Sequence, residues 1–444
     1  MPLRILRKDE AMLFKHIGVI DENFRYRPYC FVGIKNDRID YIGEALPRED
    51  YGEVYDGTGK LMLPGFYNAH SHNAMTLMRG YAEDEVLDVW LNKHIFPFEA
   101  KLDSEAIYNG AMLAAAEMLR FGVVSCTDMY FDAWANARAV LESGIKMNMG
   151  LPMTCFDENK NLNELPIYMQ IMRSVDELNE EGDGRLKTDL AIHAEYTSTE
   201  RTVRQISALA RKLGVNMQLH LSETKAEHEG CKARRGGRTP TRYFQDCGAF
   251  DVPATAAHCV WVEDEDMEIL WSMGVTAASC PVSNLKLASG FCPVPELMER
   301  EVNVAFGTDG VASNNNLNMF EEMKLAAILF KGSTGDATAV SAREALYACT
   351  RAGALSQGRD DCGLIKEGYK ADIAVLDLRG RPYMQPCHDM LHNVVFSAQG
   401  SDVCLTMVDG KVLYKDGIYT TIDIERVVEN TGRSVNKILG ELNK

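Results

Sequence analysis

From residue 61 to about residue 330 one rhythm recurs. A short apolar run ends in a polar or charged residue, a helix-like stretch follows, and another apolar run begins. Eight such runs occur, at Leu61 to His70, Val123 to Tyr130, Ile145 to Phe156, Thr188 to Glu195, Val215 to Ser222, Ala254 to Val260, Val275 to Pro281 and Val302 to Thr308. Between them "DSEAIYNGAMLAAAEMLRFG" stops at Gly122, "ERTVRQISALARKLG" at Gly214 and "EDEDMEILWSMG" at Gly274, glycine being the usual residue just past a helix end. Alternating β and α elements with eight strands predict an α/β protein built as a (β/α)8 TIM barrel. The flanks read differently, with short strand-like pieces and the turn pairs Asn36-Asp37 and Asp409-Gly410, as in hairpins. Residues 1–60 and 361–444 are therefore expected to build one small β domain from both chain ends, with a terminal helix, around a barrel at 61–360.

Composition narrows the class. The chain has 444 residues, 46% hydrophobic and 25% charged, ordinary values for a globular protein. Its net charge of −17 speaks against a nucleic-acid partner. No window approaches 18 uninterrupted apolar residues, and the start of the chain lacks the apolar core of a signal peptide. No two of the twelve cysteines lie closer than 12 positions, so no CxxC pair and no compact disulfide framework is present. A cytoplasmic enzyme is expected, a homo-oligomer with a small-molecule substrate and with neither nucleic acid nor membrane as partner.

The chemistry-bearing residues fall at the ends of the apolar runs, where a barrel of this kind places its active site. His70 and His72 share one face of a strand, and two imidazoles so placed suit a metal, although two ligands alone do not make a site. Further along come His193, His220 with Glu223 three residues on, His258 and Asp309. Any one of these histidines could be a satisfied core residue. Five of the ten histidines at strand ends make that a poor account of the set.

The motifs "PGFYNAHSHNAMTLMRGYAED", "HLSET", "AAHCVW", "CPVSNLKLASG" and "FGTDGVASNNNLNMFEEMKLAA" resemble the amidohydrolase superfamily, and within it the 5'-methylthioadenosine/S-adenosylhomocysteine deaminase and chlorohydrolase group. The likeness runs from roughly residue 30 to 420. It implies a metallo-dependent hydrolase barrel in which His70, His72, His220 and Asp309 bind one divalent metal, zinc first, with iron or manganese as alternatives. Such a metal lowers the pKa of water toward about 7, and Glu223, His258 and Asp309 would act on that water and on the substrate. Relatives with two metals carry a bridging lysine on the fourth strand, where this chain has His193. The resemblance thus implies a single metal and a substrate-binding histidine. By the same resemblance Glu99 would hold ribose hydroxyls and Trp90 would wall the pocket.

The implied reaction is hydrolytic deamination of an adenosine-type nucleoside (5'-methylthioadenosine, 5'-deoxyadenosine, adenosine or S-adenosylhomocysteine). The alternative is an aminohydrolase or chlorohydrolase of another N-heterocycle, guanine-like, pterin, cytosine or s-triazine. Glu99 favours the nucleoside, because a free base has no diol to bind. Three departures stand out. Ser279 replaces a common histidine, Phe96 stands where tryptophan is usual, and residues 139–172 hold no arginine, although members accepting the homocysteine tail place arginines there. An apolar 5' group is therefore expected to fit better than that tail.

Overall fold

The computed structural model describes residues 11–85 and 87–443. Two nine-stranded sheets organise them. The first is all parallel, with strands Phe66–His72, Val123–Met129, Lys146–Met153, Leu186–Ile192, Met217–Leu221, Ala254–His258 and Thr276–Ser279 pairing in chain order, then two short pieces, Val304–Phe306 and Asp309–Gly310. Val304–Phe306 pairs with the seventh strand, and Asp309–Gly310 pairs with the first, setting Asp309 beside Ser71 and Gly310 beside His72. Those two pieces are one interrupted eighth strand that closes the ring. Gly307 lies in the interruption, where a Cβ would sit 2.7 Å from the His70 amide nitrogen, so only glycine permits this approach.

Every residue of the second and third barrel strands is buried, including Ser125, Thr127, Asp128, Lys146 and Asn148, because helices cover the outside of a parallel barrel and side chains fill its inside. The first apolar run behaves otherwise. It is two strands: Lys60–Pro64 belongs to the second, mixed sheet, between Ala11–Ile20 and Ile373–Asp377, and Phe66–His72 to the barrel. Gly65 joins them, its missing Cβ replaced by the Val124 side chain.

The mixed sheet draws its strands from both ends of the chain. Lys146, at the start of the third barrel strand, reaches Asp372 at 2.5 Å and Asp409 at 2.8 Å, tying that sheet to the N-terminal end of the barrel. The terminal helix Ile424–Leu442 follows this sheet in sequence but packs on the barrel helix Ser104–Arg120, with Asn109 Nδ2 donating to Ser434 Oγ at 3.1 Å and Lys437 to Asp103 at 2.7 Å. Ile438 joins Trp90, Ile95 and Phe98 in one apolar cluster. The helix therefore props the segment that carries Trp90 and Glu99. Among the described residues no helix is long and apolar enough to cross a membrane, and all twelve cysteines are free, with only Cys387 exposed.

Candidate active site

At the C-terminal mouth of the barrel the strand-end residues converge. The Nδ1–H of His72 donates to the Met129 carbonyl, and that of His220 to the His193 carbonyl, each at 2.7 Å. A ring that donates on one side keeps a lone pair on the other, and the two Nε2 atoms face each other 3.4 Å apart. Asp309 Oδ1 lies 3.2 Å from His72 Nε2 and 3.6 Å from His70 Nε2. His70 Nε2 is buried without any hydrogen-bond partner. Lone pairs aimed at one another in a dry pocket repel unless a cation sits among them, so this donor set fits a metal ion.

The backbone is bent to make this possible. Ser222, His258, Cys259 and Asp309 all adopt left-handed conformations, with φ of 48°, 74°, 50° and 59°, a sparsely populated region for such residues that is held only where surroundings enforce it. Asp309 Oδ2 is one such enforcement, accepting hydrogen bonds from Ser283 Oγ at 2.6 Å and Ser313 Oγ at 2.9 Å. Only Oδ1 is left facing the histidines.

Charges are tuned by the same burial. Burial and neighbouring imidazoles push His70 and His220 well below the ordinary histidine range, keeping them neutral as ligands must be. Burial also works to lower His72, but the Asp309 hydrogen bond and charge carry it to about 9, so an ion binding its Nε2 must displace the proton shared with Asp309. Asp309, despite burial, is held well below the carboxylate range by its histidine neighbours. His258 donates from Nδ1 to Asn284 Oδ1 at 2.9 Å; burial lowers it, yet the Glu223 and Asp309 carboxylates raise it on balance.

Glu223 lies beyond the fifth strand, with Oε2 3.9 Å from His258 Nε2 and Oε1 accepting from Ser289 Oγ at 3.4 Å. Burial pushes its pKa up. Glu227 fixes its backbone, accepting the Ser222 amide at 3.0 Å and the Glu223 amide at 2.8 Å. Around these groups opens a cavity of about 940 Å³, lined by His72, Trp90, Glu99, His193, His220, Glu223, His258 and Asp309 among others. His70 lies against the His72 and His220 rings, centroids 4.8 and 4.9 Å away.

Each residue singled out in the sequence thus falls in or against one cavity. Tyr130 donates to Glu99 Oε1 at 2.8 Å, and burial raises the Glu99 pKa. His193, lowered by burial to about 4, is neutral and donates from Nδ1 to Thr197 Oγ1 at 3.1 Å. Phe96 is on the cavity wall, whereas Ser279 is fully buried with its hydroxyl unpaired. Sequence reasoning missed Tyr130, Ser283, Asn284, Glu227 and Arg234. Tyr130 ends the second apolar run, and Glu227 had a local signal in the Thr224-x-x-Glu227 capping pattern, with Thr224 Oγ1 accepting the Glu227 amide at 3.1 Å.

The geometry has counterparts. The model of the amidohydrolase family matches residues 61–413. A protein of Methanosarcina mazei named 5'-deoxyadenosine deaminase is 40% identical over 93% of this chain and 94% of its own length. A 5-methylthioadenosine/S-adenosylhomocysteine deaminase of Caldanaerobacter subterraneus subsp. tengcongensis is 40% identical over 97% and 99%. The crystal structure of an adenosine deaminase from Xanthomonas campestris with bound zinc superposes with a TM-score of 0.90 at 31% identity, covering 97% of this chain and 98% of that one. Matched over most of its length by a family model and by these relatives, the chain belongs to the amidohydrolase family.

Proposed function

We propose that the protein is a metal-dependent hydrolytic deaminase of adenosine-type nucleosides. The observation that carries this reading is the Tyr130–Glu99 pair, a carboxylate suited to a vicinal diol, on the wall of the same cavity as the histidine and aspartate cluster. The names of the relatives at 40% identity support it. His70, His72, His220 and Asp309 Oδ1 would hold one divalent ion, and three imidazoles with a carboxylate suit zinc, the ion in the Xanthomonas campestris structure. When bound, such an ion supplies a water whose pKa falls toward about 7.

The chain's own groups do the rest. His258 Nε2, an acceptor facing inward, takes a hydrogen of the attacking water; Asp309 is committed, Oδ1 to the ion it would hold and Oδ2 to the Ser283 and Ser313 hydroxyls. Glu223, its pKa pushed up by burial, is the group placed to give a proton to the ring nitrogen as oxygen adds to the carbon bearing the amine. The first proton taken from water goes to that amine, the carbon–nitrogen bond breaks as ammonia leaves, and the hydroxyl proton remaining on the added oxygen returns to Glu223 as the carbonyl forms. Neutral His193 keeps Nε2 as an acceptor for a sugar hydroxyl, and Trp90 walls the base.

The test is ammonia release by the zinc-loaded protein from adenosine, 5'-deoxyadenosine, 5'-methylthioadenosine and S-adenosylhomocysteine beside guanine, cytosine and an s-triazine. Turnover confined to the nucleosides is expected. Turnover of the free bases or triazine alone would sink the reading.

A further inference from the structure

The cavity is larger than the proposed chemistry uses. At about 940 Å³ it lies near the top of the range of roughly 300–1,000 Å³ for pockets that enclose drug-sized ligands, so space remains past the sugar. Glu99, Glu223 and Asp309 have tasks in the deamination scheme, and Glu227 holds backbone. Arg234 is the sole lysine or arginine among the described residues lining the cavity, and that scheme gives it none.

Two guanidiniums meet one carboxylate there. Glu195 is fully buried, with Oε1 taking Arg235 Nε at 2.8 Å and Oε2 taking Arg234 Nη2. Glu195 is shared between the two guanidiniums, and Glu158 acts through space on Arg235, so Arg234 is the less fully matched of the pair. Arg235 is the structural partner: its side chain is 16% exposed, its guanidinium lies 4.7 Å from the Tyr243 ring centroid, and it reaches the Ser198 carbonyl at 3.5 Å. Arg234, last residue of the helix Lys225–Arg234, is 47% exposed. A guanidinium pinned through one nitrogen keeps N–H groups for a second acceptor.

We propose that Arg234 is a specificity residue that binds a carboxylate at the outer end of the substrate's 5' substituent. The inference rests on the adenosine-type reading above. A thioether-linked amino-acid tail offers such a carboxylate, and its methylenes would run past Phe131, Phe156 and Tyr196, which line the same cavity with 42%, 77% and 41% exposure. The competing anion is a 5' phosphate, but attached directly to the sugar it would not use the outer space. On this proposal the helix after the fifth barrel strand supplies the arginine that residues 139–172 lack, and the kinetics below decide between it and the expectation of an apolar 5' group.

The experiment compares kcat/KM for S-adenosylhomocysteine, 5'-methylthioadenosine and adenosine 5'-monophosphate in the zinc-loaded wild type, R234M and R234K. R234M should lower the ratio of kcat/KM for S-adenosylhomocysteine over 5'-methylthioadenosine by about tenfold or more, through KM, as expected for a lost charge-assisted hydrogen bond that acts in binding. R234K should recover part of that ratio. Salt should raise KM for S-adenosylhomocysteine more than for 5'-methylthioadenosine. Equal losses on both nucleosides in R234M, or a wild-type preference for the monophosphate, would overturn the assignment. Retained turnover of 5'-methylthioadenosine shows that a variant is folded. If the wild type turns over no nucleoside, the deaminase reading falls too; if it turns over 5'-methylthioadenosine and the ratio does not move, only the Arg234 assignment falls.

Discussion

Both ends of the barrel bury charged groups, and they treat them in opposite ways. At the N-terminal end Lys146 sits between Asp372 and Asp409, with the Tyr67 hydroxyl also on Asp372. Burial would raise Asp372, yet the ammonium holds it below the ordinary carboxylate value. At the C-terminal end Glu223, Glu227 and Glu322 are all pushed up by burial, with no lysine or arginine bonded to them among the described residues, and His70 Nε2 has no hydrogen-bond partner. Buried charges that satisfy one another serve structure, whereas buried groups left facing one another are available for a ligand.

The sharpest way to break that contrast is to remove one of the unsatisfied groups. His220→Ala should lose the metal and bring ammonia release to background, because a three-ligand remnant binds the ion far more weakly. Metal analysis of the purified variant checks this, and full occupancy with activity would place the ion elsewhere. Next in size, Glu223→Gln should keep its metal and lose on the order of 10²–10⁴ in kcat, the range for a removed general acid/base. Loss of metal from that variant would mean that Glu223 is a ligand.

Lys146→Met probes the other end. It strands Asp372 without its cation, while Asp409 keeps Arg185 at 3.4 Å and Lys370 at 3.7 Å, and breaking a buried pair from one side costs about 3–5 kcal/mol. The measurement is urea denaturation beside kcat per folded molecule, and the expected outcome is a large stability loss with kcat within about threefold, that factor being worth under about 1 kcal/mol. A comparable fall in kcat without destabilisation would erase the distinction between the two ends.

The sequence displayed the functional end better than the structural one, and the reason is physical. Strand alternation and the barrel's habit of placing chemistry at strand ends are local signals, and they located His70, His72, His193, His220, His258 and Asp309 together. What they missed depends on pairings distant in sequence. The interruption of the eighth strand reflects the approach of Gly307 to His70, and the split of the first run reflects competition between two sheets for Lys60–Pro64. Ser283 and Asn284 matter only because the chain returns them to Asp309 and His258. Arg234 enters the cavity from a helix whose periodicity says nothing of Glu195.

The smallest expected effect concerns Glu322, which ties two loops behind the site. Its Oε1 accepts from Asn314 Nδ2 at 2.6 Å and its Oε2 from the Val282 amide at 3.1 Å, joining the segment after Asp309 to the one that carries Ser283 and Asn284. Burial lifts its pKa from 4.5 to about 8. Between those values the folded protein holds a proton that the unfolded chain has released, so this group's contribution to stability falls as pH rises through that window. Glu322→Gln removes the titration and keeps an acceptor oxygen. The stability of wild type relative to Glu322→Gln should therefore decline as pH is raised from about 5 to 8, read by urea denaturation of both proteins at each pH. Glu227, also titrating near 7, is common to both and cancels in the difference. A flat or rising difference would mean that Glu322 is ionised in the folded protein, and the functional end of the barrel would then hold a buried unpaired charge instead of a buried neutral acid.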